Sequence, residues 1–350
     1  MNPEGVSAWT DGPTGCVWRQ HGVWDVDSQT GRPILLKPHY FQLRPDGSKI
    51  DFMNDYMVPF FVLFAKEIRR AMPTAVIFAE PHINIALAWK EEVEPNLPNV
   101  VQFAWVPHYY DLLTLLSKSF RSWIVIDPLD EFLSFDPVKV HAKMIAHQLG
   151  KARGVGEGGS AALIGETGIC FDHYGGEAYS TTTAGEILPM QTSAFNQLME
   201  ALDETLASVT LWNYAPGNTN AHGDGWNEED LSIFSYDQQN DPQNLHSGGR
   251  GLPAIIRPYA SRVSGLPILM KFDAKKRIFV LEYDSSKNRE HGVQSRETLV
   301  FVPQYQYGSN ANDLFVVVTD GTWTLDAAKQ TIVWKHDENV HVHKMTLRLK

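Results

Sequence analysis

The stretch "ALIGETGICFDH", residues 162–173, places Glu166 at the end of an apolar run and brackets it with Gly165 and Gly168. A short apolar run that stops on a charged side chain reads as a buried strand meeting its loop. The same form recurs in "AVIFAE" from Ala75, "VVQFAWVPH" from Val100 and "VTLWNY" from Val209, alongside "AALIGE" from Ala161. Helical stretches flank these runs: "DYMVPFFVLFAKEIRRA" from Asp55, "PVKVHAKMIAHQLGKAR" from Pro137 and "SAFNQLMEALDETLA" from Ser193, with Ser193 as the expected N-cap of the last. Strand alternating with helix predicts βα units around a parallel sheet buried on both faces. The four runs finish on Glu80, His108, Glu166 and Trp212. In a parallel βα barrel that carboxyl end is where active sites lie. Strands also simply stop where polarity begins, but four such endings with Glu, His, Glu and Trp favour a site.

Bulk properties exclude several classes. The 350 residues are 43% hydrophobic, enough for a substantial core and more than one domain. Thirty basic residues against 41 acidic ones, without a Lys or Arg block, give no electrostatic footprint for nucleic acid. The two cysteines, Cys16 and Cys170, suggest neither a disulfide framework nor a thiolate zinc site. The start "MNPEGVSAWTDGPTG" lacks the charged and apolar segments of a signal peptide, and no window approaches ~18 apolar residues. The expected location is cytoplasmic or peripheral to intracellular membranes.

Taken together, "IGETG" and "LWNYAPGNTNAHGDGWNEEDLSIFS" resemble the seventh and eighth strands of glycoside hydrolase family 5, within the endoglycoceramidase-related branch that includes fungal glucosylceramide and steryl β-glucosidases. The resemblance extends through "IFAEP", "PHYYD", "GGRGLPAIIRPYASRVSG", "FVPQYQY" and "TIVWKHD", and so covers nearly the whole chain. It implies that Glu166 is the nucleophile, that His108 and Tyr110 are the His-x-Tyr of strand six, and that Trp212 ends strand eight. Such retaining glycosidases attack the anomeric carbon with one carboxylate while a second carboxylic acid, roughly 5 to 5.5 Å away, protonates the leaving oxygen. Tyr110 could hydrogen-bond Glu166 and steer it. Trp212 could floor the sugar, although taken alone it reads better as core. No metal or organic cofactor is needed.

The loop after strand eight offers Asn213, Asn218, Asn220, His222, Asp224, Trp226 and Asn227 among three glycines. That composition suits either sugar hydroxyls or solvated turns; its place after Trp212 favours substrate contact, with Asn213, Asp224 and Trp226 as the candidates. The family's acid/base glutamate follows an asparagine in Asn-Glu-Pro at strand four, and that tripeptide is absent here. "MNPEG" has the wrong order, and in "FAEP" Ala79 stands where the asparagine would be, at strand five. Glu80 is therefore expected to support the site rather than to donate the proton, or to be an ion-paired strand end.

A closed barrel needs eight units in ~250 residues, and residues 1–54 read as a long loop. The expected fold is the C-terminal half of a (β/α)8 TIM barrel, residues 1–262 carrying strands five to eight, followed by an antiparallel β-sandwich over 263–350. The chain is then expected to be the C-terminal portion of a longer enzyme, inactive alone, with the missing N-terminal barrel half as a partner. The competing expectation is a non-catalytic glycolipid-binding remnant. "GVGEGGS", 154–160, lacks the Lys-Ser/Thr of a phosphate loop and reads as a linker. Cys170 reads as a small buried residue. "GLPAIIRPYASRV" predicts an amphipathic helix, with Arg257 in a salt bridge. From Pro267 onward six β-rich segments predict a sandwich of ~85 residues. In "HVHKM", His341 and His343 share a strand face, which suits a metal or, more commonly, a solvated face. The sandwich either caps the barrel or helps present lipid-linked substrate.

Overall fold

The computed structural model describes residues 9, 15–80, 103–127, 132–153, 161–180, 182–183, 186–187, 189–226, 229–288, 290, 292, 294–309 and 313–350. The linker at 154–160 and Asn227 lie outside them. The chain forms two compact units, residues 1–73 with 91–99 and residues 74–90 with 100–350. In the first, the stretch expected to be loop carries a hairpin, Trp24–Val26 with Pro33–Leu35, and the helix Val58–Ala71 follows.

The second unit opens with a parallel sheet. Its strands are Ile77–Ala79, Phe103–Trp105, Ala161–Thr167 and Ser208–Leu211, each paired in parallel with the next in chain order. The helix Pro137–Arg153 begins as its sequence dictates: proline sits where no intrahelical donor is needed, and the Asp136 carboxylate accepts the Lys139 N–H at 3.2 Å. The helix Pro189–Thr205 starts one turn ahead of the expected N-cap. Ser193 lies inside it, because Pro189 supplies the first position and Gln191 anchors that turn by donating to the Phe171 carbonyl at 2.9 Å. Its buried stripe, Ala194, Phe195, Leu198 and Leu202, packs with Ile145 and Leu149 of the other helix over Ile164 of the third strand.

This sheet departs from the expected two-sided burial. Ile77 and Ala79 are buried while Phe78 between them is 62% exposed, and Thr210 of the outer strand is exposed as well. The two helices cover one face, and among the described residues nothing comparable covers the other. The unit is thus a mixed α/β layer followed by a sheet domain.

"GLPAIIRPYASRV" is helical only at Leu252–Ile255. Pro258 disfavours helix at the residue before it, and Tyr259–Arg262 becomes a strand paired antiparallel to Glu297–Phe301. The sandwich therefore begins ahead of residue 263. Arg257 makes the expected ion pair, donating to Asp203 of the helix Pro189–Thr205 at 2.6 Å and to the Phe272 carbonyl at 2.9 Å. It joins the helix to the sandwich.

Two four-stranded antiparallel sheets make that sandwich. One runs Tyr259–Arg262, Glu297–Phe301, Thr331–Lys335, Thr322–Asp326; the other runs Leu266–Asp273, Ile278–Asp284, Val342–Leu349, Leu314–Val318. The expected segment "DLFVVVTDGTWTL" divides at Asp320–Gly321, where Gly321 has φ +72 and any Cβ would meet the Lys335 carbonyl at 2.1 Å. Phe279, Leu281 and Tyr283 alternate into the core with Val300, Ile332, Trp334, Met345 and Leu347. His343 faces this core, fully buried, so the expected solvated face for the "HVHKM" histidines is wrong for it; His341 is exposed. Among the described residues no cluster of ligating side chains is arranged for a metal, and no helix is long and apolar enough to cross a membrane.

Candidate active site

The carboxyl ends of the parallel strands bring the sequence candidates together. The ladder continues past the strands: the Tyr109 N–H donates to the Glu166 carbonyl at 3.0 Å, and the Trp212 N–H to the Thr167 carbonyl at 2.7 Å. The residues around Glu166 are thereby fixed from both sides. The two glycines that bracket it have steric reasons. A Cβ on Gly165 would sit 2.4 Å from Val106 Cγ1, and one on Gly168 would sit 2.2 Å from the Trp212 carbonyl oxygen. Small residues let the neighbouring strands close in on Glu166, which answers why the sequence reads "IGETG".

The Tyr110 hydroxyl donates to Glu166 Oε1 at 2.8 Å. His108 stands between two carboxylates, its Nε2 3.1 Å from Glu80 Oε1 and its Nδ1 3.6 Å from Glu166 Oε1. The side chains are graded in exposure, His108 at 19%, Glu166 at 27% and Glu80 at 59%. Burial, then the hydrogen bond to Glu166, then the charges of Glu166, Glu229 and Asp224 push the Tyr110 hydroxyl above the usual tyrosine range. Tyr110 is accordingly a neutral donor whose proton stays in place while it orients the Glu166 oxygen.

The loop after Trp212 folds back over the same end. Asn213 Nδ2 donates to Asp224 Oδ2 at 3.1 Å, and Asp224 Oδ1 accepts the Trp226 N–H at 3.0 Å. Asn213 Oδ1 is buried and has no hydrogen-bond partner among the described residues, an acceptor suited to a hydroxyl. Trp212 is half-buried. Trp226 joins this loop through its backbone, and its side chain is exposed. Sequence reasoning passed over Glu229, whose carboxyl is raised by burial and then by the charge of Asp224, with Glu166 adding to it. Its only signal was an acidic pair next to Asp230 in a loop already singled out. Beside Tyr110 opens a largely apolar cleft of about 590 Å³, lined by Leu112, Leu113, Leu116, Val125 and Met144.

Residues 257–347 match the glycoside hydrolase family 5 C-terminal domain. A glucosylceramidase of Rhizopus delemar is 30% identical in an alignment of 333 positions, gaps included, that covers 88% of this chain and 46% of that protein. A glucosylceramidase of Cryptococcus neoformans var. grubii is 26% identical in an alignment of 367 positions, gaps included, that covers 97% of this chain and 47% of that protein. The crystal structure of Cryptococcus neoformans sterylglucosidase 1 superposes with a TM-score of 0.78 at 24% identity, covering 96% of this chain and 50% of that one. The chain spans about half the length of the curated relatives it matches. The resemblance to glycoside hydrolase family 5 read from the sequence holds, and the relatives are glycosidases.

Proposed function

We propose that this chain carries the nucleophile side of a retaining β-glycosidase that hydrolyses glucosylated lipids such as glucosylceramide or a steryl glucoside. The observation that carries the reading is the 2.8 Å hydrogen bond from Tyr110 to Glu166 at the carboxyl end of a parallel sheet. Within it the four parallel strands are strands five to eight of a (β/α)8 barrel, since each pairs with its successor in chain order. The Glu166 carboxylate attacks the anomeric carbon as the bond to the aglycone oxygen breaks. A carboxylic acid protonates that oxygen, and the glycosyl ester on Glu166 is then cleaved by water, from which the same acid residue takes the proton. Glu80 shares His108 with the nucleophile; it is a supporting carboxylate, and the proton donor belongs to strand four of the complete barrel.

Substrate placement follows from the surroundings. The polar loop with Asn213 and Asp224 meets sugar hydroxyls, Trp212 floors the ring, and the apolar cleft beside Tyr110 suits a lipid aglycone. Such an enzyme works at a membrane surface, where its substrate resides. A 2-fluoro glucoside, applied to the chain completed with its strand-four half, is expected to esterify Glu166; a label on Glu80 would reverse the assignment. The 350-residue chain alone is expected to leave glucosylceramide intact. If the chain alone cleaves it, Glu80 is the proton donor despite Ala79.

A further inference from the structure

The buried histidine of "HVHKM" has two partners that the glycosidase reading does not use. His343 lies on the strand Val342–Leu349, opposite Tyr283 in register. Its Nδ1 is 2.9 Å from Asp320 Oδ2 and 3.1 Å from Oδ1, and its Nε2 is 2.8 Å from Ser285 Oγ. A carboxylate only accepts, so Nδ1 carries the hydrogen; in the neutral ring Nε2 is then the bare nitrogen that accepts the Ser285 hydroxyl proton. Ser285 Oγ also lies near the carbonyls of Val340 and His341, but at 3.4 Å each, so the imidazole is its best-placed acceptor.

From this arrangement we propose that Ser285, His343 and Asp320 form a nucleophile, general base and orienting carboxylate, and that Ser285 accepts acyl or phosphonyl groups from reactive esters. Three separate segments converge to build it: the end of the strand Ile278–Asp284, the turn at Asp320 and the strand Val342–Leu349. Access runs in the required order. The His343 side chain is 0% exposed and that of Asp320 7%, while Ser285 at the strand end is half-buried and reaches solvent. Asp320 is held in place by the Thr319 hydroxyl at 2.9 Å and the Asp337 N–H at 2.8 Å. The His343 ring is fixed by Tyr283 on one side and by His336, whose ring stacks at 4.2 Å with planes 22° apart. Such a constellation is recognised by geometry and roles rather than by chain order.

The step balances without a further reagent. Ser285 Oγ bonds to the carbonyl carbon, its proton passes to His343 Nε2, the alkoxide leaves and takes that proton, and an ester on Ser285 remains. Turnover is another matter. The Ser285 N–H donates to the His341 carbonyl at 2.8 Å and the Ser286 N–H to Asp284 Oδ1 at 2.7 Å, so neither is free to stabilise an oxyanion. The acylated serine is therefore expected to accumulate.

The test is labelling of the full 350-residue chain with an alkyl fluorophosphonate, in which the serine displaces fluoride from phosphorus, read by peptide mass spectrometry. A stoichiometric adduct on Ser285 is expected. It should be absent in Ser285→Ala and slower by roughly 10²-fold or more in His343→Gln, the range a general base contributes. Because His343→Gln disturbs a packed ring, Asp320→Asn serves as the second variant, with thermal melting checked on both; it should also slow labelling while the fold is retained. No adduct on Ser285, or equal rates in both folded variants, would overturn the proposal and leave the three residues as a hydrogen-bonded closure of the sandwich end.

Discussion

The parallel sheet and the C-terminal sandwich are both made of short apolar strands, yet they bury them differently. In Ile278–Asp284 every second residue, Phe279, Leu281 and Tyr283, is fully buried against the facing sheet. In Ile77–Ala79 the alternation is just as clear, but Phe78 points outward and remains exposed. The sandwich holds both layers of its core within one continuous stretch of chain. The parallel sheet has helices on one face and, among the described residues, two outer strands, Ile77–Ala79 and Ser208–Leu211. An apolar strand states how much burial it needs and not whether the chain supplies it. The chemistry proposed for Glu166 sits on the region that buries one face of its strands less fully.

The largest effect that tests this contrast belongs to the parallel sheet. In the chain completed with its strand-four half, Glu166→Gln is expected to lower glucoside hydrolysis by on the order of 10⁴-fold or more, as loss of a covalent nucleophile does. Its melting temperature should hardly move, because the amide keeps the shape and the Tyr110 hydroxyl can still donate to the remaining carbonyl oxygen. The sandwich counterpart concerns stability alone. Trp334→Ala removes a fully buried ring whose Nε1 donates to the Asp320 carbonyl at 3.0 Å, and should cost about 3–5 kcal/mol in denaturant unfolding. Phe78→Ala in the chain alone should cost about 0.5 kcal/mol or less. A large loss there would mean that the open face of the parallel sheet is covered after all, and the contrast between the two regions would fail.

A smaller effect resolves positioning from packing at the site. Tyr110→Phe keeps the ring and deletes one hydrogen bond to a charged acceptor, worth about 1.5–3 kcal/mol. Under the proposed function, with a strand-four half supplied, kcat is expected to fall by roughly 10- to 150-fold with little change in KM, since the bond would then orient the proposed nucleophile rather than hold the sugar. Equal kcat with a lowered melting temperature would make Tyr110 a packing residue.

Much of the site was legible because its residues end strands. Glu80, His108, Glu166 and Trp212 could be read from where apolar runs stop, and the structure joins the first three through His108. The register of βα units was legible for the same reason, down to the start of the helix at Pro137. Other features depend on contacts across the chain. The second layer of burial is a property of partners, so the open face at Phe78 was invisible in "AVIFAE". The helix expected over "GLPAIIRPYASRV" failed because apolar spacing in a short run fits both periods, and Pro258 decided for the strand. His343 looked solvated because polar residues alternate around it; it is buried because Asp320, 23 positions earlier, accepts its Nδ1 hydrogen, so the ring's donor keeps a partner away from water.

The smallest expected effect is an acid dependence confined to the sandwich. Burial by itself pushes Asp320 up, but the Asp337 N–H, then His343 and the Thr319 hydroxyl outweigh it, and the carboxyl sits below its usual range. A folded value below the unfolded one, about 3.9, means that the unfolded chain takes up the proton first as pH falls. The stabilisation is therefore complete above about pH 4 to 5 and is lost as pH drops through the folded value. Asp320→Asn removes that titration, so the melting temperature of the variant should fall less steeply than wild type between about pH 5 and about pH 3. Asp326→Asn is the control: its exposed carboxyl is lowered chiefly by the Lys329 N–H, and solvent screening should make its contribution smaller. Should Asp320→Asn keep the full wild-type slope while Asp326→Asn flattens it, the acid sensitivity lies in the surface turns, and the buried end of the sandwich is indifferent to the charge it encloses.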